Sequence, residues 1–295
     1  MRRTLVADRL ATGVLWAIAI LVVTILVAII AHFLLAAVGI LNPSFLFGAP
    51  SDTEIGGIGP ILWNSIYMLV LTLIFTLPLG ILGGIYMAEY AGQGRVTNSI
   101  RFSQELISSV PSIVVGLFGL ALFVNALHFG FSALSGAFAL TVFNLPLMAR
   151  LSEQAIRAVP DDERQASLAL GTTKWATIVH VVLPLAIPGM VTGVILTAGR
   201  IFGEAAALIF TAGLATPTAY DFTNFNLSDP ASPWSPFHPA TTMAVYIWKI
   251  NSEGLGEYVR EIADTTSAVL VLAVLFFNLG ARGLGRTLQK RITGA

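Results

Sequence analysis

Long apolar runs with almost no charge constrain this chain more than any other feature of its sequence. The first extends from about Ala11 to Ile40, longer than the ~20 residues that a helix needs to cross a bilayer. A secretory signal has a shorter apolar core and a small-residue cleavage site, so this run is expected to be a retained membrane helix. Because backbone groups in lipid have no water to bond, the runs predict helices.

Composition extends this interpretation to the whole chain. Hydrophobic residues make up 56% of the sequence and charged residues 11%, whereas a soluble domain carries about 25% charged residues. The pattern predicts an all-α, polytopic membrane protein of about six transmembrane helices, with residues 1–295 forming a single transmembrane domain. The expected spans are 11–40, 61–91, 103–126, 131–151, 184–213 and 263–284. The sequence has no cysteine, which excludes disulfides and thiol chemistry.

Two polar connectors separate the later spans. Residues 152–183 lie between the fourth and fifth spans, and residues 214–262 form a long loop rich in aromatic residues and proline. A short helix is expected within that loop, at about Thr241–Asn251.

Glycine and proline positions predict how the spans pack. Pro78 lies inside the second span and is expected to kink it, because proline removes a backbone hydrogen bond. Gly80, Gly83 and Gly84 follow it, and Gly189 and Gly193 form a GxxxG pattern in the fifth span. Small residues let two helices approach closely, so these positions are expected at helix–helix contacts.

The distribution of lysine and arginine predicts the orientation. Six spans put both termini on one side of the membrane, and thirteen of the 16 cationic residues fall on that side. Only Lys249 and Arg260 fall on the other side, and Arg200 lies within a span. Cytoplasmic loops carry the excess of positive charge, so the termini and the 152–183 connector are expected to be cytoplasmic. The 214–262 loop is then external.

The stretch from Glu163 to Pro184 has the features of two short helices. Pro160 and the acidic residues after it form a helix start, with carboxylates at the positive end of the helix dipole. Gly171 can adopt the positive φ that ends a helix, and Thr172 or Thr173 can cap the next one. Local features leave two alternatives, a loop lying on lipid headgroups or a docking surface for another protein.

The same stretch resembles the EAA loop of the permease subunits of ABC importers. The residues that match that pattern are Glu163, Ala166, Gly171, Val182, Leu183 and Pro184. Arg164 and Gln165 depart from it, since alanines are common there. The resemblance implies the type I ABC importer permease fold, with a cytoplasmic coupling helix that sits in a cleft of an ATPase subunit.

Three further segments are similar to the phosphate-specific ABC importers, and two of them favour the PstA-type over the PstC-type permease subunit. They are Met87–Gly94, Ser108–Gly119 and Gly199–Gly213. This resemblance implies a bacterial inner-membrane complex with a PstC-like second permease, a PstB-like ATPase dimer and a PstS-like external phosphate-binding protein. Molybdate, tungstate and sulfate permeases share the loop, so another oxyanion remains an alternative substrate. No nucleic-acid partner is expected.

An arginine inside the fifth span supports an anionic substrate. Arg200 lies about sixteen residues into that span, roughly 24 Å from its cytoplasmic end. An arginine at that depth costs several kcal/mol and must face protein or water. Glu204 is expected four residues on along the same helix face, either neutralising Arg200 as a structural pair or positioning it in a pathway. In a pathway, Glu204 could also accept the proton that hydrogen phosphate carries and sulfate lacks.

Arg150, Glu153 and Ser112 are weaker pathway candidates. Arg150 and Glu153 are expected to pair at the cytoplasmic end of the fourth span, either as snorkelling interfacial residues or as a gate. Ser112 follows Pro111, which is expected to leave carbonyls unpaired in the third span. Its alternative role is helix packing.

Several function classes lack the residues they need. The chain has no GxxxxGK[ST] motif, so a partner subunit is expected to use the ATP and Mg²⁺ while this chain binds no cofactor. The histidines have no metal-ligand spacing, and no catalytic constellation of an enzyme is present. Glu89 is interpreted as an interfacial residue. An ATP-independent channel or carrier is the remaining alternative.

Overall fold

The structure, a computed structural model, describes residues 2–51, 56–92, 94–215, 219–254 and 258–293, and these residues contain helices but no strand. The twelve α-helices are α1 Arg2–Ala36, α2 Pro43–Phe47, α3 Gly59–Ile85, α4 Arg95–Ser109, α5 Ser112–Gly119, α6 Ala133–Arg157, α7 Asp161–Ala169, α8 Lys174–Thr177, α9 Leu183–Gly203, α10 Ala206–Thr211, α11 Met243–Glu253 and α12 Val259–Thr293. Three π-helical segments, Tyr86–Tyr90, Leu120–Ala126 and Ile178–Val182, continue α3, α5 and α8.

Five helical segments of the described chain are long and apolar enough to cross a membrane. They are Asp8–Ala36, Gly59–Tyr90, Ala133–Arg157, Lys174–Gly203 and Val259–Arg291. A sixth span exists only if the bent pair of α4 and α5 counts as one. The all-α, multi-span architecture agrees with the expectation from the apolar runs.

The third span is the main departure from the expected topology. Residues 103–126 do not form one straight helix, because α4 and α5 meet at an angle of 96°. Val110 is extended (φ −63°, ψ 132°) and Pro111 follows it. A proline disfavours the helical conformation of the preceding residue, which explains a break at this point. The span expected across residues 103–126 therefore consists of parts of two helices that meet at Pro111.

The fifth span begins earlier and ends earlier than expected. The helix that begins at Lys174 continues through the π-helical turn to Gly203, so the last ten residues of the 152–183 connector are continuous with the helix of the span. Pro184 lies in the first turn of α9, directly after the π-helical turn Ile178–Val182. A proline has no N–H, and the wider hydrogen-bond pattern of the π-helical turn lies where that donor is missing. At the other end the chain leaves the helix at Glu204 and resumes it in α10.

Helix α6 lies at the centre of the fold and contacts α3 and α9 through glycines. A Cβ at Gly80 would lie 2.6 Å from the Met148 side chain. One at Gly189 would lie 2.7 Å from the Ala155 Cβ. These glycines therefore lie at helix–helix contacts, as their spacing predicted. The main core is built from apolar residues of α3, α6, α9 and α10, including Met68, Leu140, Ile201 and Leu208.

The loop after α10 is fastened to the first turns of α3. The Trp63 indole donates to the Pro233 carbonyl (2.9 Å), and the Tyr67 hydroxyl donates to the Trp234 carbonyl (2.9 Å). Tyr220 donates to Asn64 Oδ1 (2.8 Å), and burial raises the pKa of Tyr220 to about 12, so its hydroxyl keeps its proton. The short helix expected near 241–251 is confirmed as α11.

Candidate functional site

The segment from α7 to α8 has the predicted two-helix form. Helix α7 begins after Pro160, and Gly171 adopts the positive φ of 81° that was expected to end it. Thr173 then caps α8, because its hydroxyl accepts the Ala176 N–H (3.2 Å). The hydroxyls of Ser167, Thr172 and Thr177 contact one another at 2.8–3.0 Å and hold the two helices together.

Arg164 anchors this segment to the membrane helices. Its guanidinium forms an ion pair with Glu89 (3.0 Å), and it also donates to the carbonyls of Ile156 (2.7 Å) and Val159 (2.5 Å). Lys174 donates to the Glu89 carbonyl. Glu89 is thus more than an interfacial residue, since it ties the end of the second span to α7 and α8. A charge pair that is mostly buried and hydrogen-bonded in this way fixes the orientation of α7 relative to the membrane helices.

The EAA-like residues fall into two groups. Glu163, Ala166 and Gly171 are exposed, and the nearby Leu170 side chain is 85% exposed. Leu183 is half-buried and Pro184 is buried at the base of α9, so these two residues position the span and do not contribute to the exposed surface.

Arg200 stacks on an aromatic ring and is not paired with Glu204. Its guanidinium carbon lies 3.6 Å from the centroid of the Phe143 ring on α6, a cation–π contact. The helix ends at Gly203, so the i+4 geometry is lost and Glu204 acts on Arg200 only through a longer-range Coulomb attraction. Among the described residues, no carboxylate lies within 4.0 Å of the Arg200 guanidinium.

Glu204 supports the chain break instead. Its carboxylate accepts the Ala207 N–H (3.2 Å) and is buried at the junction of α9 and α10. A carboxylate at this position satisfies a backbone donor that the first turn of α10 leaves unpaired. Glu204 is therefore a helix-capping side chain in this structure.

Arg150 and Glu153 do not pair with each other. Arg150 pairs with Glu105 of α4 (3.2 Å), and Glu153 accepts from Arg101 of α4 (2.8 Å) and from Arg157 (2.9 Å). Residues three apart on a helix can reach each other, but α4 lies against α6 and supplies closer partners. The five residues line one pocket of about 190 Å³, together with Gln104 and Gln154.

Ser112 lies at the first turn of α5, directly after the break at Pro111, and is half-buried. It follows Glu105 of the charged pocket by seven residues, on the other side of the break, and no described contact joins its side chain to Arg200. Pro111 interrupts the helix at this point, as expected. The interruption is a bend between two helices, and not a continuous helix with unpaired carbonyls.

The sequence analysis did not identify several residues of the site. Arg101 and Glu105 carry the i,i+4 spacing of one helix face, which was a usable signal for α4. Phe143 gave no signal, because one phenylalanine among eighteen has no distinguishing pattern. Within the described residues, no group of three or more His, Asp or Glu could hold a metal ion.

Comparisons with known proteins show which family this chain resembles. Residues 80–294 match the family described as "Binding-protein-dependent transport system inner membrane component". The chain is 47% identical over 289 residues to the "Probable ABC transporter permease protein YqgI" of Bacillus subtilis (strain 168), covering 98% of each chain. It is 36% identical over 236 residues to the "Phosphate transport system permease protein PstA 1" of Mycobacterium tuberculosis (strain CDC 1551 / Oshkosh), covering 80% of this chain and 73% of that protein.

A solved structure shares the fold. A chain of a bacterial ABC transporter involved in the import of the acidic polysaccharide alginate superposes with a TM-score of 0.57 at 16% identity, covering 97% of this chain and 96% of the other. The fold is therefore that of the type I ABC importer permeases. With the family match over residues 80–294, it follows that this chain belongs to the binding-protein-dependent inner-membrane permeases of ABC transporters.

Proposed function

We propose that this chain is the PstA-type permease subunit of an ATP-driven importer of inorganic phosphate, forming half of the translocation pathway. One observation carries the proposal: Arg200, inside a membrane span, is held on the Phe143 ring, and no carboxylate of the described residues lies within 4.0 Å of its guanidinium. A guanidinium whose ring face is occupied keeps its N–H edge for a ligand, and that edge matches the geometry of a phosphate oxyanion. Similarity to a phosphate permease supports the same substrate.

The α7–α8 segment is the proposed docking site for the ATPase. Its exposed surface includes Glu163, Ala166 and Gly171, and Arg164 links it rigidly to Glu89 and to the end of α6. A force applied to this segment would therefore reach the second, fourth and fifth spans together. Because Leu183 and Pro184 continue the same helix into the membrane, α9 would move with it.

The proposed complex contains a PstC-like permease, a PstB-like ATPase dimer that binds ATP and Mg²⁺, and a PstS-like external phosphate-binding protein. Both termini and the α7–α8 segment face the cytoplasm of a bacterium, and the 214–262 loop faces outward. The thirteen-to-two distribution of cationic residues supports this orientation.

Uptake of radiolabelled phosphate tests the proposal in cells that carry this importer as their sole phosphate importer. Arg200→Ala and Arg200→Lys are expected to reduce uptake at least tenfold, because neither side chain offers the planar fork of N–H donors. Arg286→Ala, on an exposed part of α12, is the control and should leave uptake unchanged. Normal uptake by both Arg200 variants, with assembly verified, would remove Arg200 from the pathway.

Further experiments test the identity of the substrate and the source of energy. Excess molybdate, tungstate or sulfate should not compete with labelled phosphate, and effective competition by one of them would make that oxyanion the substrate. The ATPase should co-purify with the native chain. Gly171→Asp should abolish both co-purification and uptake. Transport by the single reconstituted chain without ATP would instead favour a channel or carrier.

A further inference from the structure

The charged pocket between α4 and α6 has the composition of an anion-binding site. It contains three arginines (Arg101, Arg150 and Arg157) and two glutamates (Glu105 and Glu153), so its formal charge is +3 − 2 = +1. Each guanidinium offers about five N–H donors. The contacts within the described residues use one donor on Arg101, one on Arg150 and two on Arg157. Arginines with donors left over therefore line a cavity of about 190 Å³.

The two glutamates are held very differently. The Glu153 side chain is 8% exposed and is bound by Arg101 and Arg157, and Arg157 is itself fixed by donating to the Met87 carbonyl (3.0 Å). The Glu105 and Arg150 side chains are both more than half exposed, and they meet at 3.2 Å. An exposed ion pair of this kind is weak. An incoming anion can therefore displace Glu105 from Arg150 while the Glu153 pairs stay in place.

Helix geometry relates this pocket to Arg200. Phe143, which stacks under Arg200, lies seven residues before Arg150, and Arg150 lies seven residues before Arg157. Seven residues are almost two helical turns, so the three positions share one face of α6 at steps of about 10 Å. An oxyanion released from Arg200 toward the Arg157 end of α6 would meet Arg150 next.

We propose that the α4–α6 pocket is a second oxyanion site of the transporter, occupied on the route from Arg200 to the cytoplasm, and that it selects phosphate over sulfate. This inference rests on the proposed function. The glutamates provide the selection: hydrogen phosphate and dihydrogen phosphate carry P–OH groups that can donate to a carboxylate. Sulfate at neutral pH has no proton to donate, so the same carboxylates repel it and offset its attraction to the arginines. Arg150 binds the anion, and Glu105, once displaced, accepts a hydrogen bond from its P–OH group.

Arginine footprinting of the assembled transporter in inside-out membrane vesicles tests the site directly. Phenylglyoxal modifies arginines, and peptide mass spectrometry reads each residue separately. Millimolar inorganic phosphate should slow the modification of Arg150 at least threefold, whereas sulfate at equal ionic strength should not. Arg95 and Arg286 are exposed arginines outside the pocket and serve as internal controls whose modification should not change. Glu105→Gln should allow sulfate to protect Arg150 as well as phosphate does.

Three results would overturn the site: no protection of Arg150 by phosphate, equal protection of Arg95 and Arg286, or equal protection by sulfate in the native protein. Phosphate uptake measured on the same preparation separates this proposal from the transport assignment. Uptake without protection overturns the second site alone. Protection without any phosphate uptake supports the site and overturns the assignment of phosphate as the transported substrate.

Discussion

At the scale of single residues, charge inside this protein is stabilised by partners that are distant in sequence. Arg200 rests on Phe143, fifty-seven positions away, and Glu153 is held by Arg101 as well as by its own helix neighbour Arg157. A buried charge is costly unless such contacts compensate it. The residues that supply these contacts are therefore as necessary to the site as the charged residues themselves. Their residue types alone do not identify them as partners of a charge.

Removal of the ring under Arg200 should reduce transport without unfolding the protein. Phe143→Leu loses a cation–π contact worth about 0.5–2 kcal/mol, so phosphate uptake should fall roughly two- to thirtyfold as the guanidinium loses its orientation. Phe138→Leu is the matched control on the same helix, because Phe138 stacks on Phe75 and Phe123 and not on an arginine. Equal loss of uptake in both variants would show that only aromatic packing matters.

His238 should make the stability of the external loop depend on pH. Burial lowers the pKa of His238 below its usual value of 6.5, so the folded protein resists protonation that the unfolded chain accepts. Stability is then complete above about pH 6.5 and is lost as the pH falls below it. Tryptophan fluorescence from Trp63 and Trp234 can follow thermal unfolding between pH 7.5 and 5. His238→Gln should flatten the pH dependence, and an equally steep curve would contradict the assignment.

At the scale of the elements, glycines decide where helices end and how closely they pack. Gly171 has a φ of 81° with no atom within 4 Å of a Cβ built on it, so its role is conformational. Gly84 has an ordinary φ, but a Cβ there would lie 2.4 Å from the Ser152 Cβ, so its role is close packing. Glycine thus serves both to end a helix and to allow close packing. Sequence spacing alone distinguishes these two roles only in part.

A side chain at Gly171 should weaken the α7–α8 segment that we propose as the ATPase docking site. Gly171→Ala forces a residue with a Cβ into the left-handed region, at a cost of about 1–2 kcal/mol. Gly171→Asn should cost less, because asparagine tolerates this conformation. Co-purification of the ATPase measures the effect, with Gly92→Ala as the control, since Gly92 also has open space but no positive φ. Undiminished co-purification with Gly171→Ala would contradict a conformational role.

Two neighbouring glycines of α3 provide a test of helix packing. Gly84→Ala places a methyl group 2.9 Å from the Glu153 backbone nitrogen and should destabilise the α3–α6 contact by about 1–3 kcal/mol. Gly83→Ala meets only the Ala149 Cβ at 3.5 Å, an ordinary contact, and should be tolerated. Thermal stability in detergent distinguishes the two variants. A similar loss in both would indicate a general effect of helix substitution.

At the scale of the whole molecule, the membrane orientation expected from the charge distribution can be tested with introduced cysteines. The natural chain has none, so each single cysteine is a unique label. Ser228→Cys in the external loop should react with an impermeant maleimide in intact cells, and Ser99→Cys on α4 should react only after permeabilisation. Both positions are exposed. The opposite labelling pattern would invert the topology and the proposed direction of transport.

Long apolar segments were predictable because lipid permits few backbone conformations, and a continuous apolar run of about 20 residues marks them directly. The α7–α8 segment was predictable for a similar reason, since caps and the positive φ at Gly171 depend on nearby residues. The bend at Pro111 was only partly predictable: a proline marks a possible interruption, but its 96° angle depends on how α5 packs against α10.

The sequence by itself determined the class of the molecule, its apolar segments and the two-helix form of α7–α8, because each depends on local composition or on short-range hydrogen bonding. Only the tertiary structure decided the charge partners. Arg150 pairs with Glu105 and not with Glu153, and Arg200 rests on Phe143, because α4 and α9 pack against α6 and bring together side chains that are far apart in the chain. Electrostatic contacts act over a few ångströms in space, and sequence separation does not report that distance.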